Sequence, residues 1–561
     1  CTERRPSDRD PMLNRRAFNM SLLLASAASA LGTSAAARTT EPDEILLNRL
    51  TFGATPEARK HLARIGRAEW LTEQLGLPPE DPALTQRLQT VRLRIRHPAG
   101  KTKEGKPWPA ADELRPLTML TATAEERLPL VHWHTPVAQA ARMRPAREVT
   151  AASLPRAVHA QAQVREVMTQ FWHDHFNVHS EKSRITAAFF PDYDRALRAG
   201  ALGNFRDLLG AVATSPAMLD YLDNTRSKAS PANENFAREL LELHTLGAEN
   251  YVNTAHTSWR TVPGALDGRA EGYIDEDVYE VARAFTGWTL GAGRRFGHVE
   301  LPATGRFAYV DAWHDPYQKR ILGREFGSNR PPMADGEEVL DLLATHPATA
   351  RHICRKLARR LLSDTPSQAL VDRLARAFLQ HSDAPDQIAR VIRVLVEDPD
   401  FAATPPNKLR RPFEFLAALY RATGAHVSSP EGAFYWQLSG AGWTQHNFPP
   451  PTGHPDRTED WASSATLIRM LDMAMYAHDD WFDTTPDGMD RLTPDSVRIY
   501  GAMARHWAEQ LHGTGADRMG DYLDAVDVRA DDLLPTKADL RHHLASMALA
   551  FAAMSPRFLF R

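Results

Sequence analysis

DEILLNRLTFGATPEARKHLARIGRAEWLTEQL, residues 43–75, sets apolar side chains three and four positions apart and punctuates them with Gly53, Pro56 and Gly66. That spacing is the period of an amphipathic helix, and Gly and Pro mark where one helix stops and the next begins. The same pattern recurs along most of the chain. It predicts a long helix over 156–178 and others over 203–213, 233–246, 276–287, 336–347, 350–363, 367–380, 385–396, 409–422, 463–476, 494–511 and 537–553. The fold class is mainly α: one multi-helix, bundle-like globular domain from residue 38 onward, or two tightly packed helical subdomains over about 38–290 and 327–561.

Three segments depart from the helical rule. Residues 294–326 contain RRFGHVEL, GRFAYVDAWH and KRILGREF, whose alternation predicts a small β-hairpin or three-stranded flap. Residues 95–113 are polar, Pro-containing and aperiodic, and read as an exposed loop. The stretch 444–460, TQHNFPPPTGHPDRTED, is too Pro-rich for either element and reads as a loop. With 561 residues, 43% of them hydrophobic, the chain can bury a large core. A formal net charge of −3 excludes the basic balance of a nucleic-acid binder. Cys1 and Cys354 are the only cysteines, so the chain offers neither a disulfide framework nor a Cys-based zinc site.

The first 37 residues carry an address. Met12 is followed by NRRAF, the apolar run Met20–Leu31 and a small-residue site at Ala35–Ala37. This is the layout of a signal segment, here with an upstream extension before Met12. Its apolar run is too short to span a membrane, and nothing later in the mature chain reads as a span. Arg15–Arg16–Ala17–Phe18 fits the twin-arginine pattern of proteins exported already folded. The expected location is periplasmic or extracellular. Export in the folded state also suits a protein that loads a cofactor in the cytoplasm.

Chemistry concentrates in FWHDHFNVHS, residues 171–180. On a helix at about 100° per residue, Val164, Met168, Phe171, Trp172, His175 and His179 form one apolar stripe, with Asp174 on its flank. His175 and His179 then stand one turn apart, while His173 and Asn177 face the polar side. In NENFARELLELHTLG, residues 233–247, Phe236, Ala237, Leu240, Leu243 and His244 share the apolar face. Glu239 flanks it, Arg238 and Glu242 face away, and Gly247 is a natural helix stop. His175, His179 and His244 are thus expected to point inward from two helices.

Imidazole is a common ligand for zinc, iron and copper, so these three histidines are candidate metal ligands. Asp174 and Glu239 would orient them or act as general bases, and Arg238 would meet an anionic group. The plainer alternative makes each ring a core residue bonded to backbone. His173, the pair His314–Asp315, and His454 and Asp456 of GHPD are secondary candidates; His314–Asp315 reads foremost as a turn before Pro316, and GHPD equally well as a turn or as part of a lid. The sequence lacks the H-E-x-x-H of zinc proteases, the G-x-S-x-G elbow, a Walker loop and a dinucleotide fingerprint. No nucleotide cofactor is expected.

Taken in order, LLNRLTFGATP (46–56), FWHDHFNVH (171–179), SPAMLDYLDN (215–224), NENFARELLELHTLG (233–247) and DVYEVARAFTGW (277–288) resemble the domain of unknown function 1800 family. HDPYQKRILG (314–323), HPATARHICRKLARR (346–360) and MSPRFLFR (554–561) continue the resemblance over nearly the whole mature chain. It implies an exported, largely helical bacterial protein, commonly encoded beside a sulfatase-like exported protein. It brings no established activity. Val252–Glu271 departs from the family pattern as an insertion that adds His256 and Trp259, and the basic loop at 100–106 is a second elaboration.

Three readings follow. The first is a metal-dependent exported hydrolase or oxidoreductase using His175, His179 and His244. The second is a non-catalytic binding or assembly protein acting with the sulfatase-like partner. The third is a haem protein, restricted to non-covalent haem because no C-x-x-C-H motif is present.

Overall fold

A computed structural model describes residues 41–252, 259–296, 298–425, 432–476, 493–513 and 519–561. The signal segment expected over 1–37, and His256 of the insertion, lie outside these residues.

The chain folds as expected into a mainly α protein, in which the strands among the described residues form only two-stranded antiparallel sheets. The opening stretch becomes three helices, Pro42–Leu50, Pro56–Ile65 and Arg67–Gly76, broken at the expected Gly and Pro. Pro56 sits in the first turn of its helix, where its missing N–H costs nothing, and Thr55 accepts the Ala58 N–H as cap. The later helices also form near their expected positions, among them Phe205–Ala213, Pro347–Leu361, Gln368–Gln380, Gln387–Glu397 and Pro412–Thr423. One hydrophobic cluster joins side chains from Ile45 to Leu559. No described helix is long and apolar enough to cross a membrane.

The expected long helix over 156–178 is two helices. Gln139–His159 ends at Ala160, whose ψ of 139° is extended, and a second helix runs from Gln163 to His175. A helix over Arg184–Gly200, unanticipated from sequence, packs against Gln139–His159 and starts from Ser183, whose hydroxyl accepts the Ile185 and Thr186 N–H groups. The loop expected over 95–113 is instead mostly a β-hairpin. Strands Arg92–His97 and Ala111–Pro116 pair, Leu93 and Ile95 facing the core, and Gly100–Lys101 pairs with Pro107–Trp108. The flap forms as expected from small hairpins: Trp288–Ala292 with Ala303–Tyr309, Arg295–Phe296 with Val299–Glu300, and Lys319–Ile321 with Arg324–Phe326.

Candidate functional site

The last turn of the helix Gln163–His175 sends three consecutive side chains, His173, Asp174 and His175, to three different sets of partners. Two of those sets come from the loop Trp443–Asp456, part of the expected Pro-rich loop. The helix stops at His175 because the following residues bond to that loop and not to themselves. Asn177 Nδ2 donates to the carbonyls of Phe448 (2.9 Å) and Pro450 (2.7 Å), and the Ser180 N–H donates to the His446 carbonyl at 2.9 Å. His179 therefore lies beyond the helix, half-buried, and the one-turn stacking of His175 and His179 does not occur.

His173 is a second correction. It was expected on the polar face but is only 6% exposed, and its Nε2 donates to Asp194 Oδ1 at 3.0 Å. Its other neighbour is His446, with ring centroids 4.3 Å apart. The His446 backbone is left-handed (φ 58°), unusual for a residue with a Cβ and found where surrounding structure imposes it. The Ser153 hydroxyl has two acceptors at 3.0 Å, His446 Nε2 and the Val149 carbonyl. The Gln445 amide approaches the same nitrogen at 3.1 Å. Burial, then the adjacent His173, keeps the His446 imidazole neutral, far below its ordinary pKa. Burial opposes ionisation of Asp194, but Arg198 and Arg156 overcome it and hold the carboxyl well below the usual range.

A cavity of about 20 Å³ lies between Ser153, Gln170, His173, Asp194 and His446. That is room for about one water. Gln445 also lines a second, larger cavity of about 390 Å³, walled by Leu93, Leu114, Thr150, Leu438 and Trp443 and rimmed by Arg92, Arg147 and Glu181. Ser153 and His446 themselves line the small cavity, while Thr150, one helical turn before Ser153, and Gln445 and Asn447, on either side of His446 in sequence, line the larger one.

Asp174 turns the other way. Its Oδ2 accepts from Arg411 Nη1 at 2.7 Å and its Oδ1 from His454 Nδ1 at 3.2 Å. His454 stacks on Trp443 with centroids 4.0 Å apart and rings within 9° of parallel. Arg411 lies 4.8 Å from the same indole and also pairs with Glu414. Asp456 continues the network: its carboxylate meets Lys408 at 3.3 Å and Arg360 at 3.4 Å. Burial again opposes ionisation of Asp174, and the Arg411 charge with the His454 hydrogen bond reverses it, driving the carboxyl far below its ordinary pKa. His454, buried, and Asp456, half-buried, are thus partners in an ion-pair network. The reading of GHPD as a simple turn or a lid gives way to this.

His175 and His244 are both buried, and His175 points toward His244. Its Nε2, however, donates to the His244 backbone carbonyl at 3.2 Å, and the ring centroids stand 6.2 Å apart. His244 ends a π-helical turn, Leu240–His244, continuing the helix Glu234–Glu239. Such turns are rare and favour functional sites. Among the described residues, neither His244 nitrogen, nor His175 Nδ1, has a hydrogen-bond partner. Burial, then the Lys356 charge, lowers the pKa of His244 to about 3 and that of His175 well below its ordinary value. Lys356 is itself lowered to about 8 by burial.

These positions do not fit the expected metal centre. One nitrogen of His175 is committed to a carbonyl, His179 has left the helix, and no group of three or more His, Cys, Asp or Glu among the described residues could hold an ion. Around His175 the ring centroids of Phe171, Trp172 and Phe176 lie 4.4–6.0 Å away.

The remaining candidates stand apart from the His173–Asp174–His175 turn. Glu239 is half-buried, with its pKa raised by burial and then by Glu242. Arg238 faces outward, as its helical position implies, 3.6 Å from both Glu234 and Asp275. His314 bonds to the Thr286 carbonyl and to Asp335, while Asp315 accepts the Tyr317 N–H in a turn and takes a two-point contact from Arg283. The turn reading of His314–Asp315 therefore holds. Trp259 of the insertion stacks against Arg320 at 4.0 Å.

Sequence reasoning missed Ser153, Asp194, His446 and Lys356. His446 was visible as a histidine in the Pro-rich loop, but nothing local marked the other three.

The model of a family described as "Protein of unknown function (DUF1800)" matches residues 45–560. No curated protein and no solved structure matches the chain.

Proposed function

The chain belongs to this family of proteins of unknown function, and from that premise we propose that it is an exported hydrolase with Ser153 as nucleophile and His446 as its base. The observation that carries the reading is the 3.0 Å contact between Ser153 Oγ and a neutral, buried His446 Nε2 beside a cavity. A nucleophile in hydrogen-bond reach of an imidazole that is itself held by other groups is the arrangement acyl transfer requires.

In the proposed step Ser153 Oγ attacks the carbonyl carbon of an ester or amide lying in the larger cavity, and the hydroxyl proton passes to His446 Nε2. His446 then protonates the leaving alcohol or amine as the scissile C–O or C–N bond breaks, leaving the acyl group on Ser153 Oγ. A water, deprotonated by the same imidazole, releases the acid and restores Ser153. Asp194 and Asp174 both favour the protonated form of His446, so they would stabilise the imidazolium as it appears. Gln445 Nε2, 3.1 Å from His446 Nε2 and bonded to Gln170 Oε1 at 3.0 Å, lines both cavities and would meet a developing oxyanion by exchanging its Gln170 bond. Export is supported by the Arg15–Arg16 pair, the apolar run and Ala35–Ala37 of the sequence.

A fluorophosphonate serine probe on the purified chain tests this. The expected adduct is on Ser153, absent from Ser153→Ala and strongly reduced in His446→Gln. A folded protein that takes no adduct at Ser153 would sink the proposal.

The second reading, a binding or assembly protein working with an exported sulfatase-like partner, is favoured by one observation: Asp174, Asp194 and Asp456 each find their counter-charges within the chain. A stable co-purifying heteromer together with no probe adduct would decide for it.

A further inference from the structure

Away from the histidine turn, arginines from three segments come together with no ion pair to any of them among the described residues. Arg184 opens the helix Arg184–Gly200, Arg226 closes the short turn Asn224–Arg226, and Arg294 sits in the bend after the strand Trp288–Ala292. None of the three makes an ion pair or side-chain hydrogen bond with another described residue. Their chain neighbours are packed together: Ile185, next to Arg184, lies against a small cluster holding Ala292, and the Thr289 hydroxyl of that strand donates to the Thr225 carbonyl, next to Arg226, at 2.7 Å. Arg294 is in turn lowered by burial and then by Arg184 and Arg226. A fourth, Arg142, feels Arg184 and spends its own donors on the carbonyls of Leu130, His132 and Thr135, so its charge too is unmatched.

The turn that Arg142 clamps presents His132 and His134 as a stacked pair, centroids 5.3 Å apart. Val131, the residue before His132, packs in the same small cluster as Ala292 and Ile185, and His132 is lowered by burial and then by Arg294. The acid within reach of Arg294 is Asp220, whose carboxylate already accepts from the Ser183 and Thr186 hydroxyls. Arg226 also walls an open cavity of about 470 Å³ with Lys228, Ser230 and Asn233.

Like charges gathered without partners are costly unless something of opposite sign joins them. Guanidinium forks arriving from several directions match the oxygens of a tetrahedral anion better than a single planar carboxylate. We propose that Arg184, Arg226 and Arg294, with His132 and His134, form a binding site for a doubly charged tetrahedral oxyanion, the phosphate or sulfate group of an ester. This site does not depend on the Ser153 reading.

Thermal unfolding of the full chain at low ionic strength tests it, with inorganic phosphate or sulfate compared with chloride at matched ionic strength. Phosphate or sulfate should raise Tm where chloride does not, and the anion with the lower midpoint identifies the ester. Arg184→Gln/Arg294→Gln should raise that midpoint about tenfold or more and, without anion, unfold no earlier than wild type, because mutual repulsion has been relieved. Arg226→Gln, at an exposed position, should weaken the anion effect by itself. Equal stabilisation by chloride, or an undiminished phosphate and sulfate effect in both variants, would overturn the proposal. So would a double variant that unfolds earlier without anion, which would make the arginines structural.

Discussion

His175 donates from Nε2 to the backbone carbonyl of His244, 3.2 Å away, and that one bond fixes what both imidazoles can do. It commits the His175 proton to Nε2 and turns a bare nitrogen lone pair toward the interior. The His244 ring, bonded at neither nitrogen, then acts as a buried, neutral, aromatic-sized body.

From this follows a pH dependence. His244 takes a proton only near pH 3 in the folded state, whereas an unfolded histidine does so near about 6.5. Between those values the unfolded chain binds more protons, so His244 drains stability as the pH falls from about 6.5 toward 3. His244→Phe should flatten that decline, measured as the difference in urea midpoint between pH 7 and pH 5. At pH 7 the variant should stay within about 1 kcal/mol of wild type, since no hydrogen bond is lost. A large loss at pH 7 would reveal a partner for the imidazole.

Asp174 behaves with the opposite sign. Its folded pKa lies far below that of an unfolded aspartate, so its contribution is complete above about pH 4 and is lost as the pH falls toward the folded value. Asp174→Asn removes the charge that Arg411 and His454 face, and should cost about 3 kcal/mol at pH 7. The deficit should shrink in acid, where wild type also loses the charge. Chemical denaturation at several pH values checks both parts, and equal stability at pH 7 would refute the pairing.

Gly453 should tolerate no side chain. Its φ is +70°, and a Cβ there would sit 1.9 Å from the Asp174 carbonyl oxygen. Gly453→Ala should therefore destabilise by more than about 1 kcal/mol, through backbone strain and through lifting the loop off the helix end. It should also lower fluorophosphonate labelling of Ser153, because His446 rides on the same loop. Gly424→Ala is the control: its φ is also +70°, but a Cβ there meets nothing within 4 Å.

Lys356 should be the chain's unusually reactive amine. Burial lowers it to about 8, so near pH 8 about half of it is the free amine, while an ordinary lysine is almost wholly protonated. Trace acetylation followed by mass spectrometry should give a rate–pH midpoint near 8 for Lys356. A midpoint above 10 would show the ammonium to be solvated.

The sequence carried the helices and hid the site. Apolar spacing located most helices within a few residues because burial of one face is a local pattern repeated along the chain. It failed where distant segments intervene. Nothing in Ala160–Gln161–Ala162 advertises a break, yet Gln163 caps its own approach by donating to the Ala157 and Ala160 carbonyls. The wheel that stacked His179 on His175 assumed a helix that Asn177 instead gives up to reach Phe448 and Pro450. His173 looked solvated because its cover, Asp194 and His446, arrives from 21 and 273 residues away in the chain. The hairpin Arg92–Pro116 escaped notice because its core-facing residues are only Leu93 and Ile95 among arginines.

The loop Trp443–Asp456 also sets a timetable. Asp174 and His454 are separated by 280 residues, so the carboxylate cannot be matched until the C-terminal part of the chain has been made. At about 5–20 residues per second the ribosome needs about 14–56 s to reach His454, and contacts of such sequence separation close slowly in any case. Throughout that interval the turn at His173–Asp174–His175 is a hydrated chain end without its cover. Truncation before residue 443 should therefore leave protease-sensitive chains, because a loop made late in synthesis closes the interior begun by helices made long before it.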